Sequence, residues 1–283
     1  MKVKIIGGLG NQMFQYATAF AIAKRTNQNL VVDISDAISY KTHPLRLTAL
    51  SCSCEYEYKS NYFEKYIYST IIPYSLRKLL FCRCYIENGL SYDDTIDTKS
   101  INKKIIGYFQ TEKYFKEFRE ELIAEFKPKE TFSEYQSKIL NLIRQQLCCS
   151  IHIRRGDYIS NSAANNTHGV CSSEYFSKAI KYLETKGIAN PGMALFVFSD
   201  DIEWCEKNIS FQYKTVFVKG DEERAELDMW LMSFCDHNII SNSSFSWWGA
   251  WLNENAEKHV IAPRQWFRKN IEHDIIPASW IKI

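Results

Sequence analysis

The opening of the chain alternates between apolar and amphipathic segments in the order of a βαβ unit. Lys2–Ile6 is a short apolar run that ends in the glycine turn Gly7–Gly10. Apolar residues then recur at helical spacing from Asn11 to Lys24, and a second apolar run follows at Leu30–Asp33. Strand, glycine turn, helix and strand in this order predict the beginning of a parallel α/β sheet.

The second half of the chain repeats this alternation. We predict strands there at Cys149–Ile153, Ala194–Phe198, Thr215–Val218, Asn238–Ile240 and His259–Ala262. We predict helices at Ser173–Lys186, Ile202–Lys207, Arg224–Phe234 and Phe245–Asn253. Strands that are apolar throughout and alternate with helices indicate a parallel sheet that is buried on both faces.

The stretch between these two parts is less regular. Residues 50–100 predict short helices but no clear sheet. The elements predicted after it are a strand at Lys104–Tyr108 and helices at Glu112–Phe126 and Phe132–Leu147. We place the domain boundary in this region, with an N-terminal domain at 1–140 and a C-terminal domain at 141–283.

Charge and composition exclude several classes of protein. The chain has 35 basic and 33 acidic side chains, a net charge of +2, which argues against binding nucleic acid through bulk electrostatics. Its nine cysteines are an odd number without C-x-x-C spacing, and its histidines lack metal-ligand spacing, so we expect reduced thiols and no metal site. The start does not match a signal peptide and no apolar run is long enough to span a membrane, so we expect a cytoplasmic protein.

The glycine turn near the start has three interpretations. Gly8 and Gly10, with the distal Asp33, nearly match a dinucleotide fingerprint, but Met13 stands where the third glycine would allow close packing. In the second interpretation the turn brings its backbone amides and the Asn11 side chain to a different ligand. A tight turn without a ligand is the third.

A histidine and two arginines stand at the end of a predicted strand. Strand alternation places His152 and Arg154 on one face, and parallel sheets bind ligands at this carboxyl edge. Arginine offers planar, paired donors that suit phosphate oxygens, and Gly156 leaves room for a ligand to approach the backbone. Asp157 could orient an arginine or act as a base. A structural ion pair between Asp157 and Arg155 or Arg154 is the alternative.

Ser199, Asp200 and Asp201 follow the next predicted strand. Such residues cap helices, and the following segment is a predicted helix, so a cap is one interpretation. Ligand contact is the other, because carboxylates at this edge suit the N–H edge of guanine.

A hydroxyl-rich segment opens the last predicted helix. Ser243, Ser244 and Phe245 stand where hydroxyls and backbone amides at a helix start form an anion site. Three tryptophans follow, and we expect them to pack this helix into the core: Trp247, Trp248 and Trp251.

Together these motifs resemble one family, the bacterial α-1,2-fucosyltransferases of glycosyltransferase family eleven. The resemblance rests on four segments in the family's order: Gly7–Ala17, His152–Tyr158 with its H-x-R-R-x-D-Y pattern, Phe198–Asp201 and Ser243–Ala250. Residues 50–100 carry no motif of this kind, so the acceptor cannot be inferred from them.

The resemblance implies an α/β fold of the GT-B type, with two Rossmann-like lobes facing across a cleft. The lobe at 1–140 would lie on the acceptor side, and the lobe at 141–283 would bind GDP-fucose. The implied activity is transfer of fucose, with inversion, from GDP-β-L-fucose to the 2-hydroxyl of a galactose in an acceptor glycan. Such enzymes need no metal or other cofactor, because arginine balances the diphosphate charge.

The resemblance also implies roles for single residues. Arg154 would hold the β-phosphate as GDP departs, and His152 would lie beside the same phosphate. Asn11 would reach the donor or the acceptor across the cleft, and the candidates for the base are Asp157 and a donor phosphate oxygen. The other implied donor-binding residues are Gly10, Arg155, Ser199, Asp200, Asp201, Ser243, Ser244 and Phe245.

The implied setting is the synthesis of a surface polysaccharide or O-antigen. A lipid-linked acceptor would bring the protein into at most peripheral contact with the inner face of the cytoplasmic membrane, and one segment with neighbouring basic and apolar residues would suit this: Arg77–Arg83. The alternatives are another nucleotide-sugar transferase, an NAD-dependent Rossmann oxidoreductase and a glycan-binding protein without activity.

Overall fold

The chain folds into two parallel α/β units in the computed structural model, which describes residues 1–39, 43–59, 66, 72–156, 169–269 and 271–283. The first unit comprises Met1–Lys129 and Glu272–Pro277, and the second comprises Glu130–Ile271 and Ala278–Ile283. Each unit holds one sheet whose paired strands are all parallel. The α/β fold class predicted from the sequence is therefore confirmed.

The sheet of the first unit has the order β3-β2-β1-β5-β4. Its strands are β1 (Lys2–Lys4), β2 (Val31–Asp33), β3 (Glu55–Glu57), β4 (Cys84–Ile86) and β5 (Lys104–Ile106). The expectation of no sheet within residues 50–100 is wrong, because both edge strands come from this stretch. These strands are only three residues long and partly exposed, so neither stands out in the sequence.

Helix α1 (Leu9–Arg25) occupies the centre of the first unit, and nearly all of its residues are buried. It follows β1 through Gly7, whose φ of +77° lies in the left-handed region that glycine adopts without strain. Met13 is buried in this helix, where the dinucleotide fingerprint would require a glycine. The shorter helices of this unit are α2 (Tyr74–Leu80), α3 (Ile96–Lys99) and α4 (Arg119–Glu125).

The single helix expected over Glu112–Phe126 is interrupted. Two 3₁₀ turns, Glu112–Tyr114 and Lys116–Phe118, precede α4. Between them Phe115 leaves the helical region with φ −145° and is fully buried, its ring 6.0 Å from that of Phe14. Burial of this ring against α1 thus outweighs the helical periodicity of the segment.

The short segment Glu272–Pro277 belongs to the first unit although it lies near the end of the chain. The Asp274 carboxylate accepts a hydrogen bond from the backbone N–H of Tyr92 (2.8 Å) and pairs with the ammonium of Lys113. These partners hold the pKa of Asp274 below its usual value, against the opposing effect of burial. An isolated bridge between Leu90 and His273 adds a backbone contact.

The sheet of the second unit has the order β11-β10-β9-β6-β7-β8. Its strands are β6 (Cys148–Ile153), β7 (Ala194–Ser199), β8 (Lys214–Val218), β9 (His237–Ile239), β10 (Val260–Ala262) and β11 (Ile281–Lys282). The five strands predicted in this half are confirmed within one or two residues at each end, and β11 was not predicted. Because β6 is buried along its whole length in mid-sheet, its apolar run was easy to recognise.

The helices of the second unit are α5 (Glu134–Arg144), α6 (Ser173–Thr185), α7 (Ile202–Asn208), α8 (Ala225–Ser233) and α9 (Ser244–Leu252). A capping box between Ser133 and Gln136 begins α5, and Gln136 also donates to the buried carboxylate of Asp228 at 3.1 Å. Helix α5 thus belongs wholly to the second unit, whose division from the first falls between Lys129 and Glu130. The domain limits 1–140 and 141–283 stay predictions about the protein's domains. Within the described residues, no helix is both long and apolar enough to cross a bilayer.

Candidate active site

The candidate site lies at the carboxyl edge of the second sheet. Strand β6 pairs with β7 on one side and with β9 on the other, all in parallel. The segments that follow these strands are therefore neighbours, and they hold most of the site residues that the sequence predicts. This edge is where open parallel sheets bind their ligands.

His152 is buried near the end of β6. Its Nδ1 lies 2.8 Å from the Ser241 hydroxyl, and its ring centroid lies 5.6 Å from that of Phe245. Burial lowers the pKa of His152 to about 3; the nearby Asp200 opposes this shift and Arg154 adds to it. The imidazole is therefore neutral at physiological pH, where it can donate or accept one hydrogen bond at each nitrogen.

Arg154 lies just beyond β6 and is held by a carboxylate from the neighbouring strand end. Its Nη1 is 3.0 Å from Asp200 Oδ2, and both side chains keep about a quarter of their surface accessible. A Cβ added at Gly156 would lie 2.5 Å from the same Asp200 oxygen, so any other residue there would require this carboxylate to move. Asp200 thus orients Arg154 while the guanidinium remains accessible to a ligand.

Arg155 turns to a different set of partners. Its guanidinium lies over the ring of Trp204, 3.3 Å from the centroid, and its Nε is 3.4 Å from Asp201 Oδ2. Its backbone N–H donates to Asp200 Oδ1 at 2.8 Å. Arg155 therefore fastens the loop after β6 to the start of α7.

The segment after β7 is held by its own side chains. The Ser199 hydroxyl accepts a hydrogen bond from the N–H of Asp201 (3.0 Å). Asp201 in turn caps α7, accepting from the N–H of Trp204 at 3.3 Å. The cap interpretation of the sequence is thus observed for Asp201, whereas a contact with guanine stays a prediction.

The start of α9 brings hydroxyls and backbone amides to the same edge. Ser243 is the N-cap residue, and its side chain makes no capping hydrogen bond. Asn242 fixes the preceding turn, donating to the carbonyls of Gly169 (3.2 Å) and Trp266 (3.1 Å). Because the first turn of a helix has amides without intrahelical partners, Ser244 and Phe245 present N–H groups suited to an anion. The three tryptophans that follow are buried, as the sequence predicts: Trp247, Trp248 and Trp251.

At the edge of the first sheet, Gly10 and Asn11 lie in the first turn of α1. The Asn11 side-chain oxygen accepts a hydrogen bond from Gln110 at 2.7 Å. Buried Gln12 donates to the carbonyls of Gly7 (2.8 Å) and Pro44 (3.1 Å), and its oxygen accepts from two backbone N–H groups, those of Arg46 and Leu47. The glycine turn is thus fixed by one amide side chain.

A second set of polar contacts, missed by the sequence analysis, fixes the segment after β5. The buried Gln15 amide donates to the carbonyl of Gly107 at 3.0 Å, and Glu87 accepts from the N–H groups of Tyr108 (2.6 Å) and Phe109 (2.9 Å). Burial raises the pKa of Glu87 to about 7 despite these two donors. Polar residues inside the otherwise apolar face of α1 were the available signal for Gln12 and Gln15.

Asp33 ends β2 and is fully buried, and its carboxylate is taken up by partners within the protein. It forms an ion pair with Lys104 at 2.7 Å and accepts a hydrogen bond from the Ser35 hydroxyl at 2.6 Å. These bonds hold its pKa below the usual value although burial acts in the opposite direction. Together with Met13, this arrangement argues against the dinucleotide interpretation.

Asp157 lies outside the described residues. In the part of the chain that the structure describes, no group of three or more His, Cys, Asp and Glu side chains could hold a metal ion.

Comparisons with known proteins identify the family of this chain. The glycosyl transferase family 11 profile matches residues 1–283. An alpha-1,2-colitosyltransferase of Escherichia coli is 35% identical, covering 99% of this chain and 97% of that protein. The O-antigen biosynthesis glycosyltransferase WbnK of Escherichia coli is 32% identical, covering 98% of each chain. Human galactoside alpha-(1,2)-fucosyltransferase 1 is 23% identical, covering 87% of this chain and 63% of that protein.

A solved structure shows the same fold. A mutant of Arabidopsis thaliana FUT1 in complex with GDP superposes with a TM-score of 0.52 at 14% identity, covering 91% of this chain and 69% of that one. This similarity confirms the GT-B-type α/β fold that the resemblance implied. From the match over its whole length and these two bacterial relatives, the chain belongs to glycosyltransferase family 11.

Proposed function

We propose that this glycosyltransferase moves L-fucose from GDP-β-L-fucose to the 2-hydroxyl of a galactose in an acceptor glycan. The observation that carries the proposal is the placement of Arg154, oriented by Asp200, on the same sheet edge as His152 and the first turn of α9. Membership of family 11 and the O-antigen role of one relative support synthesis of a surface polysaccharide as the setting.

The proposed reaction inverts the anomeric carbon of fucose. The acceptor oxygen forms a bond to this carbon from the face opposite the diphosphate. The bond from the carbon to the diphosphate oxygen breaks, and its electron pair leaves with GDP. The acceptor's hydroxyl proton passes to a base, for which a donor phosphate oxygen and Asp157 remain the candidates.

Charge on the departing GDP is the main electrostatic demand of this reaction. A guanidinium forms paired, charge-assisted hydrogen bonds to phosphate oxygens, and these strengthen as negative charge develops. The α9 amides add donors for a second phosphate oxygen. We propose that Arg154 and these amides perform the task that a metal ion performs in other transferases, so transfer should survive millimolar EDTA. Activity that EDTA abolishes and Mn²⁺ restores would contradict this assignment.

We propose that His152 acts as a neutral hydrogen-bonding group beside the β-phosphate. Since its Nδ1 is engaged with Ser241, its Nε2 is the nitrogen that can face a ligand. Its low pKa makes it a poor proton acceptor, so we do not assign it the role of the base.

Two acids of the site are proposed to act on the loops. Asp200 holds Arg154 and the backbone of Arg155, and Asp201 caps α7. A remaining carboxylate lone pair would recognise the N–H edge of guanine. GDP should therefore raise the melting temperature more than UDP or ADP, and equal shifts would contradict guanine recognition.

Transfer of colitose is the second candidate function. It is favoured by the identity of 35% to an alpha-1,2-colitosyltransferase over nearly the whole chain. Colitose is the 3-deoxy form of L-fucose, so the diphosphate contacts proposed above would serve both donors equally. The two candidates differ only in what the protein offers to one hydroxyl group of the sugar.

The decisive experiment combines donors and acceptors. GDP-fucose, GDP-colitose and UDP-galactose are each incubated with a panel of β-galactosides, and the product linkage is determined by NMR. Transfer from GDP-fucose to the galactose 2-hydroxyl is expected, with Arg154→Ala as the inactive control. Arg144→Ala is the active control, because Arg144 precedes the amino end of β6 and the candidate site lies at its carboxyl end. Preference for GDP-colitose would select the second candidate, whereas transfer only from UDP-galactose, or to another hydroxyl, would refute both.

A further inference from the structure

Helix α2 of the first unit is attached to its sheet by one face. The Tyr74 hydroxyl donates to the carbonyl of Ile86 in β4 at 3.2 Å. Tyr74 and Phe81, two turns apart, pack against the buried pair Ile86 and Ile106. These contacts fix which side of the helix is turned away from the protein.

The outward side of α2 is apolar. Leu76, Leu79 and Leu80 are 45%, 73% and 59% exposed, respectively. Ordinary surface helices turn their apolar side chains inward and their polar ones to water. Three exposed leucines within five residues therefore form an apolar surface, and burial of this surface against an apolar partner would lower the free energy.

The charged residues of the segment that carries these leucines are all basic. Residues 72–86 contain Arg77, Lys78 and Arg83 and no acidic residue. Lys78 and Arg83 are exposed, and the Arg77 guanidinium lies 6.0 Å from the centre of the Tyr74 ring. A basic border around exposed leucines is complementary to a surface that is negatively charged outside and apolar beneath.

We propose that α2 and the turn after it dock on an anionic phospholipid surface. The leucines would enter the boundary between headgroups and acyl chains, while Lys78 and Arg83 would contact the headgroups. A second copy of this chain fits less well, because a two-fold interface through α2 would place the same basic residues against each other. The inference goes beyond the proposed function, since it does not depend on the donor sugar.

The test measures co-sedimentation of the full chain with vesicles of phosphatidylcholine, with or without phosphatidylglycerol. The protein should bind the anionic vesicles and release them at high salt, because screening weakens the headgroup contacts. The triple variant Leu76→Ser, Leu79→Ser, Leu80→Ser should lose binding. Since each basic residue at an anionic surface contributes about fivefold, Lys78→Gln with Arg83→Gln should weaken binding by about 25-fold.

Matched controls distinguish binding through α2 from nonspecific binding of vesicles by other exposed apolar or basic residues. Ile101→Ser removes an isoleucine that is 51% exposed elsewhere, and Lys116→Gln removes an exposed lysine; both should bind like the original protein. Melting temperature and GDP binding should stay unchanged in every variant, which shows that the fold is intact. The proposal is refuted if the original protein binds neither vesicle, if charge makes no difference, or if the controls lose as much binding as the triple variant. A leucine-dependent dimer seen by analytical ultracentrifugation would refute it in favour of a second copy.

Discussion

Arg154 and Arg155 are adjacent in sequence but have different partners, and we expect their alanine variants to fail in different ways. Arg154 pairs with Asp200 and keeps part of its guanidinium accessible at the sheet edge. Arg155 stacks on Trp204 and pairs with Asp201. Loss of Arg154 should therefore impair transfer, and loss of Arg155 should impair stability.

The cost of Arg155→Ala follows from its two contacts. A guanidinium stacked closely on a partly buried tryptophan contributes about 1–2 kcal/mol, and a partly exposed ion pair adds at most about 1 kcal/mol. A loss of about 2 kcal/mol corresponds to a fall of about 4–8 °C in melting temperature for a domain of this size. Arg155→Lys should recover less than half of this loss, because an ammonium cannot stack as a planar group.

The cost of Arg154→Ala falls mainly on catalysis. A donor that strengthens its bond to a leaving group in the transition state contributes about 3–4 kcal/mol, equivalent to about 10²–10³ in rate. Its ion pair with Asp200 is partly exposed and contributes about 1 kcal/mol or less to stability. Arg154→Lys should recover little activity, since a point charge replaces a two-pronged donor.

Both quantities can be measured on the same samples. Urea unfolding gives stability, and release of GDP at varied donor concentration gives kcat and KM. Arg144→Ala is the matched control, because this exposed arginine has a similar stacking contact, 5.5 Å from the centre of the Phe234 ring. Arg144 ends α5, which leads into the amino end of β6, whereas the candidate site lies at the carboxyl end of that strand. If folded Arg155→Ala loses more kcat than folded Arg154→Ala, the assignment of the two arginines is wrong.

Further changes test the remaining contacts. The pKa of His152 is about 3 in the folded protein and 6.5 in a free side chain. The unfolded chain therefore binds the proton first, and stability falls as pH drops below 6.5, by about 2 kcal/mol at pH 5. Urea unfolding at pH 7.5 and pH 5 should show a smaller loss for His152→Asn; an equal loss would contradict the buried neutral ring. Gly156→Ala should displace the Asp200 carboxylate and reduce kcat/KM by about 10–100-fold at an almost unchanged melting temperature, whereas Gly192→Ala in an exposed turn should not. Asn11→Ala should reduce transfer without unfolding the protein, and full activity in that variant would remove Asn11 from the site.

The strands buried on both faces were predictable because burial leaves a mark in the sequence. The six residues of β6 are buried without exception, and so are most of those of β7. Strands β3 and β4 lie at sheet edges with partly exposed side chains, and their pairing depends on residues distant in the chain. The interruption at Phe115 also depends on tertiary packing, which no local period can show.

The residues of the candidate site were predictable as types at strand ends, but their partners were not. Arg154 pairs with Asp200, and Arg155 stacks on Trp204. Both contacts depend on the pairing of β6 with β7, which brings together positions that are remote in sequence. Trp204 was unnoticed because a single tryptophan in a short helix carries no pattern. The contact between Glu87 and Gly107 was not predictable either, because it requires β4 and β5 to be adjacent in the sheet.

The separate segment Glu272–Pro277 affects how the first unit can fold during translation. Met1–Lys129 leaves the ribosome first. However, Asp274 accepts the hydrogen bond from Tyr92 N–H and pairs with Lys113, and it is synthesised only after nearly all of the second unit. Domains generally fold as they emerge, N-terminal first, but here the earliest unit must wait for one of the last segments. In a nascent chain halted before Glu272, Lys113 and the backbone N–H of Tyr92 would lack the carboxylate of Asp274 as their partner. Because Ala278–Ile283 belongs to the second unit, neither unit is complete until the chain from Glu272 onward has been synthesised.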